Sequence, residues 1–200
     1  MSIFYRPLIR WQINQKFGQN KACVDNATSS KVINCDGLNP PPGYRSVYGN
    51  MKGHNGLDLD AKNWDVVYAA REGLVIEKET EASRGLGIGI LHGPYNGKFY
   101  KTRYWHLIAI DVNLGDYVKT GQMIGYADTT GFSSAPHLHF EIKMTDSKGN
   151  TLNNDNGFFG AIDPEPLLFP TPARDVSLLN GMVERLSSLV DKMADLLRKR

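Results

Sequence analysis

The chain is short of cysteine, of charge of one sign and of long apolar runs, and each shortage removes a class of protein. Its 200 residues hold two cysteines, too few to staple a small disulfide scaffold, and the chain is long enough to bury a core without one. No stretch reaches the eighteen or more apolar residues of a membrane-crossing helix, so no transmembrane segment is expected. Lys and Arg total 23 against 21 Asp and Glu, and that balance gives no support to a nucleic-acid-binding face. Six basic and four acidic residues lie between Arg174 and Arg200, leaving 17 of each before them. A Gly-x-Ser-x-Gly elbow is absent, which argues against a serine hydrolase. The opening MSIFYRPLIRWQ is interrupted by Arg6 and Arg10 before an export-signal core could form.

What the chain does have is short, β-rich text. DVVYAA, GLVIEKE, GLGIGILHG, FYKTRYWHL, DYVKTGQMIGYAD and HLHFEIKM follow one another between Trp64 and Met144, punctuated by Gly or by Asn96-Gly97. Short strands with frequent turn signals predict an all-β, antiparallel sandwich or barrel. The regular Gly85-x-Gly87-x-Gly89 reads as strand alternation; with no helix after it, it does not read as a phosphate cradle. RPLIRWQINQKFG, ending at Gly18, reads as an opening strand, and residues 19–53 as a long loop rich in Asn, Gly, Ser and Pro. That loop carries Cys23 and Cys35, expected to bridge, with two free thiols as the alternative.

The chain divides at about residue 173. Beyond it, Val176, Leu179, Val183, Leu186, Val190, Met193 and Leu197 recur at alternating spacings of three and four, the seam of an amphipathic α-helix. Met182, Leu189 and Leu196 broaden the seam, so the C-terminal helix of 174–200 is expected to self-associate or dock on a partner.

Five histidines carry the chemistry. His137 and His139 lie two apart in a strand-like run, which puts both imidazoles on one face, about 6–7 Å apart. His54 and Asp58 stand in GHNGLDLDA, where a glycine turn is expected to bring carboxylate and imidazole together. Two imidazole nitrogens, one carboxylate oxygen and an open fourth position make a catalytic zinc site. His54, Asp58 and one of the His137/His139 pair would supply that set.

Taken together, GHNGLDLDA, YWHL, the run from GDYVKTGQMIGYAD to HLHFEI, and the closing IDPEPLL resemble the lysostaphin/LytM-type zinc endopeptidases, which cut peptidoglycan peptides. The resemblance covers roughly residues 10–170 and implies a LytM-type β fold in residues 1–173. It implies Zn2+ on His54, Asp58 and His139, with His106 and His137 as catalytic histidines that do not bind the metal. Both of these are expected to titrate near neutral pH, and His92 is expected to be a structural residue at a strand end. Tyr44, Tyr48 and Asn50 are candidate groove contacts in the loop before His54. Hydrolysis of bacterial peptidoglycan is the implied activity; a non-catalytic regulatory module and a D-amino-acid carboxypeptidase are the alternatives. The interrupted N-terminus leads to the expectation of a phage endolysin or virion-associated lysin, or of a mature form without its leader, acting on the cell wall.

Overall fold

A computed structural model gives the architecture and describes residues 3–19 and 51–169. Cys23, Cys35, Tyr44, Tyr48, Asn50 and the 174–200 segment predicted to be helical lie outside the described residues. The strands are β1 (Phe4–Tyr5), β2 (Ile13–Gln15), β3 (Leu57–Asp60), β4 (Val66–Tyr68), β5 (Gly73–Glu81), β6 (Gly85–Tyr95), β7 (Lys98–Ile110), β8 (Tyr117–Val118), β9 (Met123–Ala127), β10 (His137–Thr145), β11 (Ala161–Ile162) and β12 (Leu168–Phe169). A single 3-10 turn, Glu165–Leu167, is the only helical element among the described residues.

Ten strands form one antiparallel sheet in the order β2-β3-β10-β7-β6-β5-β8, with β11 on β10 and with β9 joining β4 to the end of β7. The expected antiparallel all-β architecture is there, its strands hydrogen-bonded into a single branched sheet. The branch lies in β7, whose first part pairs with β6 and β10 while its last residues, Leu107–Ile110, pair with β9. A departure from the expectation is the parallel pair β1–β12, which joins Phe4 to Leu168. The β6–β7 hairpin turns at Asn96 and Gly97, with φ of 49° and 74°, the paired left-handed turn that Asn-Gly favours.

Period-two alternation divides the sheet's faces. Leu57 and Leu59 of β3, Ile88 and Ile90 of β6, Tyr104 of β7, and Leu138, Phe140 and Ile142 of β10 all enter the apolar core. The intervening residues, Asp58, Lys101, Arg103, His137, His139, Glu141 and Lys143, take the other face. Gly89 leaves room on that face for the Glu77 side chain of β5, which crosses β6 to reach Lys101 at 2.6 Å and Arg103 at 2.8 Å. Trp105 lies over Gly87 in the same way. Gly87 and Gly89 thus make space for side chains of neighbouring strands, while Gly85 stands against Thr130.

Among the polar side chains on the core side, His92 is fully buried. Its Nδ1 lies 2.9 Å from the Glu72 carbonyl, which can only accept, so Nδ1 carries the hydrogen and Nε2 accepts from Thr102 Oγ1 at 2.7 Å. Thr102 Oγ1 is 3.0 Å from the Tyr104 hydroxyl, which accepts the Ala70 N–H at 2.8 Å. This relay is complete only with a neutral imidazole, because a second ring proton would reverse it and strand the Tyr104 hydrogen. Burial pushes His92 down to about 4.

Candidate active site

The antiparallel pairing of β3 with β10 sets Asp58 opposite His139, so strand register, more than a glycine turn, fixes the carboxylate. His54 precedes β3 and is held by backbone: Gly18 N–H donates to the His54 carbonyl at 2.8 Å, and His54 N–H donates to the Gln19 carbonyl at 3.0 Å. The outcome is a triangle of donor atoms. His54 Nε2 lies 2.9 Å from His139 Nδ1 and 3.1 Å from Asp58 Oδ1, and His139 Nδ1 lies 2.8 Å from that oxygen. Gly56 permits this approach, since a β-carbon there would sit 2.6 Å from the Phe140 carbonyl oxygen and 2.9 Å from His139 Cε1.

His106 and His137 complete the cluster, their rings 4.5 Å apart and His106 6.1 Å from the ring of His139. His137 Nε2 stands 3.7 Å from Asp58 Oδ1. Parity alone would send His106 into the core, because Tyr104 already points there. Between Tyr104 and Leu107, however, the register with β6 shifts by one residue, and His106 takes a φ of 62°. This β-bulge returns Leu107 to the core and turns His106 to the face that carries His137 and His139.

Each imidazole is pinned through one nitrogen. His54 Nδ1 donates to the Lys16 carbonyl at 3.2 Å, His106 Nδ1 to that of Thr130 at 2.6 Å, and His137 Nδ1 to that of Ala135 at 2.9 Å. His139 is pinned the other way round, its Nε2 3.2 Å from Glu141 Oε1. The opposite nitrogens, Nε2 of the first three and Nδ1 of His139, remain for the shared site.

The charges are strongly coupled. Burial opposes the charge of Asp58, yet His54 and His139 together hold its carboxyl well below the usual carboxylate range. Burial likewise disfavours a charged His139, but Asp58 and Glu141 outweigh it and push the imidazole up to about 9. Glu141 is also held low against its burial, by Lys143, His139 and Arg103. His106 behaves differently from the near-neutral titration expected for it. Burial, reinforced by the neighbouring His137 and His139, pushes it down to about 3, so it is a neutral ring whose Nε2 accepts.

The structure thus brings together His54, Asp58, His139, His137 and His106. Sequence reasoning overlooked Glu141, Asn55 and the Lys16 carbonyl. Glu141 had a readable signal: it continues the alternation of His137 and His139 as a charged residue between Phe140 and Ile142.

Residues 52–153, half of the chain, match the sequence profile of Peptidase family M23. The chain is 36% identical over 107 residues to the glycyl-glycine endopeptidase ALE-1 of Staphylococcus capitis, a match covering 53% of this chain and 28% of the relative. It is 35% identical over 119 residues to the peptidoglycan DD-endopeptidase ShyB of Vibrio cholerae, covering 60% of this chain and 27% of that one. The chain therefore spans under a third of the length of these curated relatives. A crystal structure of a zinc-containing peptidase from Vibrio cholerae superposes with a TM-score of 0.53 at 29% identity, over 74% of this chain and 38% of the other. With the profile match covering half its length, this chain belongs to peptidase family M23.

Proposed function

We propose that this protein is a zinc-dependent endopeptidase that hydrolyses peptide bonds of bacterial peptidoglycan, with His54, Asp58 and His139 as metal ligands and His106 and His137 as catalytic residues. The observation that carries this reading is the triangle of two imidazole nitrogens and one carboxylate oxygen, with edges of 2.8–3.1 Å. Donors about 2.0 Å from a tetrahedral zinc ion stand about 3.3 Å apart, and N, N, O is a donor set that such an ion accepts. Two protein relatives with endopeptidase names and one zinc-containing structural relative support the same reading.

Held by His54, Asp58 and His139, a zinc ion would supply Lewis-acid activation of water and of the scissile carbonyl. The chain's own residues handle the protons. His106, neutral and anchored on Thr130, offers a fixed acceptor at Nε2. His137 lies half-buried beside Asp58 and is placed to take up a proton and return it to the leaving amine.

Digestion of purified sacculi by the zinc-loaded protein, followed by mass analysis of the fragments, tests the proposal. Cleavage within cross-links or stem peptides is expected. Release of terminal D-amino acids alone would make it a carboxypeptidase, and intact sacculi with stoichiometric zinc would overturn hydrolysis of this substrate. The a/d pattern of residues 176–197 supports a helix through which copies join or dock on a partner.

A further inference from the structure

The two histidines of the donor triangle are oriented by unlike groups. His54 leans on a neutral backbone carbonyl, whereas His139 leans on Glu141, a carboxylate with no exposed surface. Placing a carboxylate there is costly unless the surroundings are built for it, and they are. Oε1 accepts from Asn55 Nδ2 at 2.8 Å while facing His139 Nε2 at 3.2 Å. Oε2 makes no hydrogen bond with a described group, but Lys143 Nζ at 3.4 Å and Arg103 Nη1 at 3.9 Å face it as cations. Both cations are positioned independently: Lys143 donates to the Phe159 carbonyl at 2.8 Å, and Arg103 pairs with Glu79 at 2.7 Å.

We propose that Glu141 is the positioning residue of the metal centre, holding a hydrogen of His139 on Nε2 so that Nδ1, beside His54 and Asp58, is the nitrogen offered to a metal, with Asn55 fixing the carboxylate. This rests on the metal-binding reading above. A carboxylate only accepts, so Glu141 keeps a hydrogen on Nε2; Asp58 faces Nδ1 at 2.8 Å, so the proton a metal would displace is the one on Nδ1. An anionic partner also makes the imidazole a stronger donor to a metal than a carbonyl does. Asn55 links the two halves of the site through side chains: it follows one ligand in sequence and grips the group that orients another, 86 positions away. A competing explanation makes Glu141 only the counter-ion of Arg103 and Lys143. The two differ in what they predict for metal affinity in a folded protein.

The experiment measures zinc affinity by competition with a chromophoric chelator, the visible spectrum of the cobalt-substituted protein, and the denaturation midpoint of the metal-free protein. Glu141→Gln is expected to bind zinc about 10–100-fold more weakly and to shift the cobalt bands. Asn55→Ala should weaken binding in the same direction by a smaller factor. Glu79→Gln, at the far end of the charged row, should leave affinity within about twofold while lowering the midpoint, which separates a loss of charge pairing from a loss of ligand orientation. Zinc affinity and cobalt bands unchanged in a folded Glu141→Gln would overturn the proposal. If that variant does not fold, unchanged affinity and bands in Asn55→Ala do so instead. Wild-type protein that takes up no zinc overturns the underlying metal reading as well, and that result is distinguishable because it appears before any substitution is made.

Discussion

Substitutions at the five clustered histidine and aspartate positions should fall into two groups. His54→Ala, Asp58→Ala and His139→Ala each remove a corner of the donor triangle and are expected to abolish stoichiometric zinc after gel filtration. His106→Ala and His137→Ala should keep most of the metal and lose turnover by about 100-fold or more; normal turnover on sacculi would refute their assignment. His92 makes a different prediction. Its folded pKa, about 4, lies below the ordinary 6.5, so the unfolded chain binds a proton first as pH falls. The stability this group provides is fully present above about 6.5 and is lost progressively towards 4, on the order of 3 kcal/mol from this residue. Urea midpoints of wild type and His92→Gln between pH 7 and 4 check this, the variant showing the shallower fall. Spacing alone pointed to His54, Asp58 and one of His137 and His139; the resemblance to lysostaphin/LytM-type endopeptidases singled out His139, because convergence across some eighty residues depends on the β3–β10 register. Glu141 was hidden because it acts only through a partner that must first be placed.

At the scale of the element, β7 matters most, and its bulge was the least readable feature. Nothing in Tyr104-Trp105-His106-Leu107 announces a positive φ, since glycine would be the usual residue there. The conformation is imposed by pairing: His106 N–H donates to the Arg84 carbonyl at 3.1 Å, and Asp128 N–H donates to the His106 carbonyl at 2.9 Å. A histidine held at φ 62° costs roughly 1 kcal/mol that glycine does not incur. His106→Gly is therefore expected to be about 1 kcal/mol more stable than His106→Ala, although both should be inactive. Equal denaturation midpoints would show that the bulge carries no strain. The β-rich runs anticipated β4, β5, β6, β7 and β10 one for one and read β8 and β9 as a single run, whereas β3 went unassigned although Leu57 and Leu59 alternate with Asp58 and Asp60. Its four residues are short for a pattern argument, and its partner β10 lies some eighty positions on.

At the scale of the whole molecule, the parallel pair β1–β12 could not be read from sequence, because two-residue strands have no period and their pairing spans the described chain. Phe4, fully buried, packs its ring edge-on against His92 at 5.2 Å and Tyr100 at 5.8 Å. Phe4→Ala should cost about 3–5 kcal/mol by chemical denaturation, a large part of a typical domain's stability. A loss below about 1 kcal/mol would mean that the N-terminal strand is dispensable. Removing residues 175–200, which begin after β12 ends at Phe169, is expected to preserve the β-sheet circular dichroism and to lower the mass in light scattering. A full-length protein that scatters as a monomer would discard self-association.

The division of the sheet into an apolar side and a charged side also bears on how the chain avoids misfolding. If β10 slid by one position against β3 and β7, Leu138, Phe140 and Ile142 would be traded for His137, His139 and Glu141, placing ionic groups in oil and leaving greasy ones among charges. The same arrangement that gathers the reactive groups thus penalises neighbouring misalignments, and a chain that has assembled its interior correctly has, by that act, assembled its chemistry.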